Sequence, residues 1–312
     1  MQCSKISHIV LLLSLLLPGP ASAWAEGWVA VLLSDAGPVY EKPLQTFRAA
    51  MTMEVRDFNL QGDIRHDPGL KSRIFKDPPA LIFALGAKAA FTAKLWTGEH
   101  QDIPVLFAMV LNWQKYHLLN GRNNMAGISY EVNPGNQFLS LSLFAPQIHR
   151  IGVIYSGEYS NELVADAKKA TEMLGLELIE RPISSDRYFQ RTYKELCQKV
   201  DGIWVLNDPV TYTLDNMDWL QQRCIQDHLV CIGQSINLTQ IGMLLSVRAD
   251  TANIGTQAAS MVVNILEKNQ PPSAIGVMEP LGTAISLNRR TAKRIGLALN
   301  RQALNMATEV IE

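Results

Sequence analysis

The feature that most constrains this chain is a set of short runs that are apolar from end to end. Gly27–Leu33 (GWVAVLL), Ala80–Leu85 (ALIFAL) and Ile103–Val110 (IPVLFAMV) hold no charged or hydroxyl side chain. A strand with one face in water alternates apolar and polar residues. These runs need cover on both faces, as in a parallel sheet flanked by helices. Helix-period segments separate them: Tyr40–Met51 places Leu44, Phe47 and Met51 on one face, and AKAAFTAKLW follows directly on Gly86. Glu54–Leu60 reads as a further strand of this first βα series.

A polar stretch, Leu111–Asn124, interrupts the pattern and reads as the first crossover between two lobes. A second series follows, with a helix over Asn133–Phe144, a strand over Arg150–Tyr155 and a helix over Glu162–Leu174 closed by Gly175. Further strands are expected at LELIERPI, Gly202–Leu206 and Val230–Gly233. Asp250–Leu266 reads as a long helix with Ile254, Ala258, Met261 and Ile265 on one face, and two short strands and a helix over Arg289–Leu299 end the chain. Two consecutive βα series predict an α/β protein of two doubly wound parallel-sheet lobes joined by hinge crossovers. The first lobe is expected over residues 24–118 plus about 248–280, and the second over 119–247 plus about 281–312.

Residues 1–23 read as a cleavable secretory signal. Lys5 precedes an apolar run, Ile9 to Leu17, broken only by Ser14; Pro18, Gly19 and Pro20 end it, and Ala21-Ser22-Ala23 gives the small-x-small cleavage pattern. The run is far shorter than the roughly 20 residues of a membrane-spanning helix, so an uncleaved tether is the weaker reading. The early Cys3 lies before the apolar run, where a lipoprotein signal has its Cys after it. The mature chain is therefore expected to start near Trp24 or Glu26, unlipidated and periplasmic.

Composition narrows the function classes. Hydrophobic content of 47% supports sizeable cores, and a net charge of −1 with 28 scattered basic residues gives no footprint for nucleic acid or a membrane surface. The chain has no GxGxxG, Walker A, CxxC or HExxH motif, and its six histidines are dispersed, so neither cofactor, metal site nor catalytic residue is expected. Gly233-Gln-Ser-Ile-Asn237 starts like a nucleophile elbow but lacks the second Gly, which leaves a hydrolase using Ser235 as a minor alternative. A cofactor-free racemase of two α/β lobes needs one Cys per lobe, whereas Cys197, Cys224 and Cys231 all fall in the second. An oxidising compartment permits a Cys224–Cys231 disulfide, with buried free thiols as the alternative; spacing decides neither.

Doubly wound sheets bind ligands at the carboxyl ends of their strands, so candidate binding residues are those that follow strands. Ser34, Asp35 and Tyr40 lie ahead of a helix N-terminus that favours an anion, although Ser34 or Asp35 equally suits a helix cap. Gly86 and Ala87 open the next helix, either as a plain turn or to admit a ligand to the backbone. Ser129 and Tyr130 follow the GI pair, and Tyr155 ends a strand. Asn207 and Asp208 follow GIWVL; the carboxylate suits a ligand ammonium or, ahead of Pro209, an Asx turn. Gln234 and Ser235 follow Val230–Gly233, and Asp250 fits the N-cap of the long helix.

Several segments in fixed order carry a resemblance: Gly127-Ile-Ser129, Gln137, Pro146, Arg150-Ile-Gly-Val153, then Asp250, Gly255, Ala258 and Ala259, and finally Leu287, Asn288, Ala292 and Gly296. With IPVLFAMVLN and GIWVLNDPVTY, they resemble the ABC-transporter substrate-binding protein family, whose better-known members bind tryptophan or tyrosine. The resemblance covers nearly all of the mature chain. It implies a type I periplasmic-binding-protein fold whose lobes close on a small molecule, a monomer, and an ABC permease as partner. It also implies a ligand carboxylate on Ser34 and the Gly86–Ala87 turn, and a ligand amine on Asp208. The family's first-lobe Gly-Tyr-x-Glu-Gly-Lys turn is absent here, and MTMEVRDFNLQGD stands in its place. A binding protein reporting to a membrane receptor is the alternative of a different class.

Overall fold

The computed structural model describes residues 27–312, and the expected export signal lies outside the described residues. In chain order the strands are β1 (Trp28–Leu33), β2 (Glu54–Asn59), β3 (Leu81–Leu85), β4 (Val105–Val110), β5 (Met125–Ser129), β6 (Arg150–Ser156), β7 (Glu177–Ile183), β8 (Gly202–Trp204), β9 (Val230–Gly233), β10 (Leu245–Ala249), β11 (Val277–Met278), β12 (Thr283–Asn288) and β13 (Glu309–Ile311). They form two sheets, ordered β11-β5-β4-β3-β1-β2 and β13-β12-β10-β9-β8-β6-β7. Every pair in the first sheet is parallel. In the second, β10 and β12 are antiparallel.

The helices that cover the sheets are α1 (Glu41–Ala50), α2 (Leu70–Lys76), α3 (Ala87–Trp96), α4 (Pro134–Phe144), α5 (Gly157–Met173), α6 (Phe189–Leu196), α7 (Leu214–Gln226), α8 (Ile236–Gln240) and α9 (Thr251–Leu266). All residues of β1, β3 and β4 are buried, as their unbroken apolarity requires. On one side of the first sheet α1 and α9 pack together. Phe47 stacks 4.5 Å from Phe83, and the Thr46 hydroxyl donates to the Ala252 carbonyl at 2.9 Å. Gly255 makes this close approach feasible, since a β-carbon there would collide with Thr46 and the backbone of Pro43. Leu70 and Ile74 of α2 and the alanine face of α3 cover the other side. The second sheet is sandwiched likewise, with Phe138 of α4 edge-on to Trp204 at 5.1 Å on one side and Phe189, Tyr193 and Leu220 on the other. Each such fully buried side chain contributes about 1.5–3 kcal/mol relative to exposure.

The chain passes between the sheets three times, over residues 129–134, 249–251 and 278–283. This corrects the expectation of a crossover at Leu111–Asn124. Positive φ at Asn112 (48°) and His117 (49°) flanks one turn of 3₁₀ helix in that stretch, and the chain returns to the first sheet as β5. The polar residues there belong to a loop, and β5 falls in the first sheet although residues 119–129 were expected in the second lobe. The first true passage is tied to the second sheet by Gln137, whose amide donates to Val132 O at 2.8 Å and accepts from Trp204 Nε1 at 2.9 Å.

Candidate functional site: the interlobe cavity

A cavity of about 430 Å³ lies where the carboxyl ends of β4, β8 and β9 meet. That size accommodates a small organic molecule. The first lobe contributes Leu111, Asn112 and Tyr116; the second contributes Tyr159, Val205 through Pro209, Tyr212, Met217, Ser235 and Leu238. Across its edge the lobes touch. Asn112 Nδ2 donates to the Tyr159 hydroxyl at 3.2 Å, Lys115 donates to Glu158 O at 3.2 Å, and its ammonium stands 5.0 Å from the Tyr159 ring centroid. Left-handed φ at Asn112, a conformation Asn tolerates better than most residues, turns this loop at the cavity.

Of the residues read from sequence, Asn207, Asp208 and Ser235 line this cavity. Asp208, however, is 1% exposed and both its oxygens are occupied. Oδ2 accepts from Ser156 N at 2.7 Å and Ser160 Oγ at 3.0 Å; Oδ1 accepts from Val210 N at 3.0 Å and Thr211 N at 3.1 Å. Four donors filling one carboxylate make it the organiser of the β8 turn, which corrects its reading as the holder of a ligand ammonium. Asn207 is half-buried beside it. No histidine or acid other than Asp208 is among the cavity's lining residues, so Ser235 has no base there.

The first-lobe candidates gather elsewhere, around the start of α3. Ser34, 3% exposed, accepts the Ala89 N–H at 3.0 Å and also hydrogen-bonds Tyr40, whose hydroxyl burial pushes up in pKa. Gly86 has φ +91°; a β-carbon there would stand 2.5 Å from Ser34 Oγ and closer still to Tyr40 Oη. Gly86 and Ala87 thus form a tight junction with Ser34 and Tyr40, apart from the cavity. Asp35 accepts Gly37 N–H at 2.7 Å in a local turn. Ser129 bonds to the backbone of Glu131 within the first passage. Tyr130 is half-buried there, and burial raises its pKa while the charge of Arg248 pulls it back. Tyr155 points to Glu180, 3.4 Å away on β7. Gln234 accepts Val132 N–H at 3.4 Å, and Asp250 caps α9 through Ala252 N at 3.0 Å. Cys224 and Cys231, buried between α7 and β9, are joined as a disulfide, and Cys197 is free.

Sequence reading passed over Asn112, Tyr116 and Tyr159, which line the cavity. The first follows β4 closely and Tyr159 follows β6, so the strand-end rule extended by two or three residues would have found both.

Residues 55–311 match the family described as ABC transporter substrate binding protein. The chain belongs to that family. Its members are non-catalytic, extracytoplasmic proteins that carry a small molecule to an ABC transporter. Solved structures similar to this substrate-binding protein include CD0873 from Clostridium difficile, a substrate-binding protein with adhesive properties in its ligand-free, open structure (20% identity, 91% of this chain and 99% of that one, TM-score 0.74). A conserved domain protein from Vibrio cholerae O1 biovar El Tor matches at 20% identity over 91% and 99% of the two chains, TM-score 0.59. An ABC domain from Streptococcus pneumonia in complex with L-Trp matches at 19% identity over 91% and 100%, TM-score 0.58. These likenesses establish the type I periplasmic-binding-protein-like fold. No curated protein matches the chain.

Proposed function

We infer that this substrate-binding protein is exported through its N-terminal signal, works unlipidated in the periplasm and captures a small solute between its lobes for an ABC permease. The observation that carries this reading is the cavity lined from both sheets, Leu111, Asn112 and Tyr116 facing Val205 through Pro209 and Ser235. A solute held by both walls favours the lobes together, since it contacts each only when they are close. Two tyrosines and Tyr212 among apolar neighbours suit a solute with an apolar or aromatic body, and the L-Trp complex of the pneumococcal neighbour supports an amino acid or a related acid.

The test is a thermal-shift screen of the purified mature protein against amino acids, aliphatic and aromatic acids, purines and sugars. A solute at 100 times its dissociation constant adds about 2.7 kcal/mol, so at least one compound is expected to raise Tm clearly. A screen in which no class of small solute does so contradicts the reading.

A further inference from the structure

Among the described residues, Arg248 is a cation without a partner. It is the penultimate residue of β10, a strand otherwise apolar but for Ser246, and it stands just before the second passage between the lobes. Its Nη1 is buried and unbonded, and its side chain makes no hydrogen bond or ion pair with any described residue. Buried polar groups are nearly always satisfied, and buried charges are paired. A guanidinium left open at a strand end thus calls for a partner that the described residues do not supply, and its planar fork fits a carboxylate.

A second unpartnered donor belongs to Gln234, on the segment that follows the neighbouring strand β9. The Val132 N–H fixes which end of the Gln234 amide is oxygen, and this leaves Nε2 buried with no partner. The last paired residues of the two strands are Gly233 and Ser246, so Gln234 leaves β9 one residue past this pair and Arg248 lies two residues past it on β10, at the second passage between the lobes. Ser235, the next residue after Gln234 in the chain, lines the interlobe cavity. The Tyr130 hydroxyl completes the surroundings, close enough to feel the charge of Arg248.

We propose that Arg248, seconded by the Gln234 amide, receives the carboxylate of the solute, so that the protein selects carboxylic acids with an apolar body. This rests on the cleft reading above and deepens it. Because the acceptors of Asp208 are already filled, the acid group governs affinity and an α-ammonium is not required.

The experiment is calorimetry with 3-phenylpropionate, indole-3-propionate and hexanoate, each against its own primary amide, on the wild type, Arg248→Gln, Arg248→Lys and the cavity-filling Ser235→Trp. At least one acid is expected to bind the wild type roughly tenfold or more tighter than its amide. Arg248→Gln should bring that acid to the level of the amide, Arg248→Lys should recover part of the loss, and the Tm of ligand-free Arg248→Gln should not fall. Amides matching acids, unchanged acid affinity in Arg248→Gln, or no binding of any acid would overturn the proposal. If an amide binds, is lost in Ser235→Trp and ignores Arg248→Gln, the cleft reading stands and the carboxylate assignment falls. If acid binding needs Arg248 but survives Ser235→Trp, the assignment stands and the cleft reading falls.

Discussion

The Ser34 hydroxyl accepts the Ala89 N–H at 3.0 Å, so the end of strand β1 caps helix α3 from a distance of 55 residues in sequence. A side chain that looked like a ligand contact thus supplies an acceptor to one of the orphan amides of a helix start. Ser34→Ala should lower stability by about 1 kcal/mol in urea unfolding and leave affinity for any bound solute nearly unchanged. Gly86→Ala at the same junction should cost more, because it adds strain at φ +91° to a collision with Ser34 and Tyr40.

Asp208 gives the opposite contrast between appearance and role. Asp208→Ala orphans Ser156 N, Ser160 Oγ, Val210 N and Thr211 N together. At about 1–3 kcal/mol for a buried unsatisfied group, a loss of roughly 3 kcal/mol is expected. Asp208→Asn should recover part of it. Wild-type stability in the alanine variant would show that the turn does not depend on these bonds.

Glu131, in the first passage between lobes, has its pKa raised by burial, with the charge of Glu279 adding to the rise and the Asn112 N–H opposing it. A carboxyl whose folded pKa exceeds its unfolded value favours folding at low pH, and that contribution is lost as pH rises through the folded pKa. Glu131→Gln removes this loss. Its Tm relative to the wild type should therefore be higher at pH 7 than at pH 4, and a difference that is constant with pH would refute the assignment.

The Cys224–Cys231 bridge closes a loop with a sequence separation of 7. Loop-entropy reasoning gives about 2.5 kcal/mol for so short a ring. Thiol titration of the denatured, unreduced mature protein should detect Cys197 alone, and reduction should expose the other two and lower Tm. Three reactive thiols before reduction would show that the pair stays reduced.

Most of the fold was legible because β1, β3 and β4 are apolar throughout and only a sheet covered on both faces accommodates such runs. β5 was harder to place. Its MAGIS run is short and follows a polar loop, and nothing local says which sheet it joins. The site was legible only in part. The strand-end rule picked out Asn207, Asp208 and Ser235, which line the cavity, but a hydroxyl or carboxylate after a strand serves a helix cap or turn as readily as a ligand, and Ser34, Asp35 and Asp208 are each hydrogen-bonded within a cap or turn. Arg248 could be seen in sequence as a charge within an apolar strand. That it has no partner among the described residues becomes visible only once the neighbouring elements are in place.

The most direct test takes the strongest stabiliser from the thermal-shift screen and measures its affinity by calorimetry for two variants that fill the cavity from opposite walls. Leu111→Trp intrudes from the first lobe and Ser235→Trp from the second. With both variants folded, each should weaken binding by roughly 100-fold or more. Wild-type affinity in either one would contradict a solute site shared between the lobes.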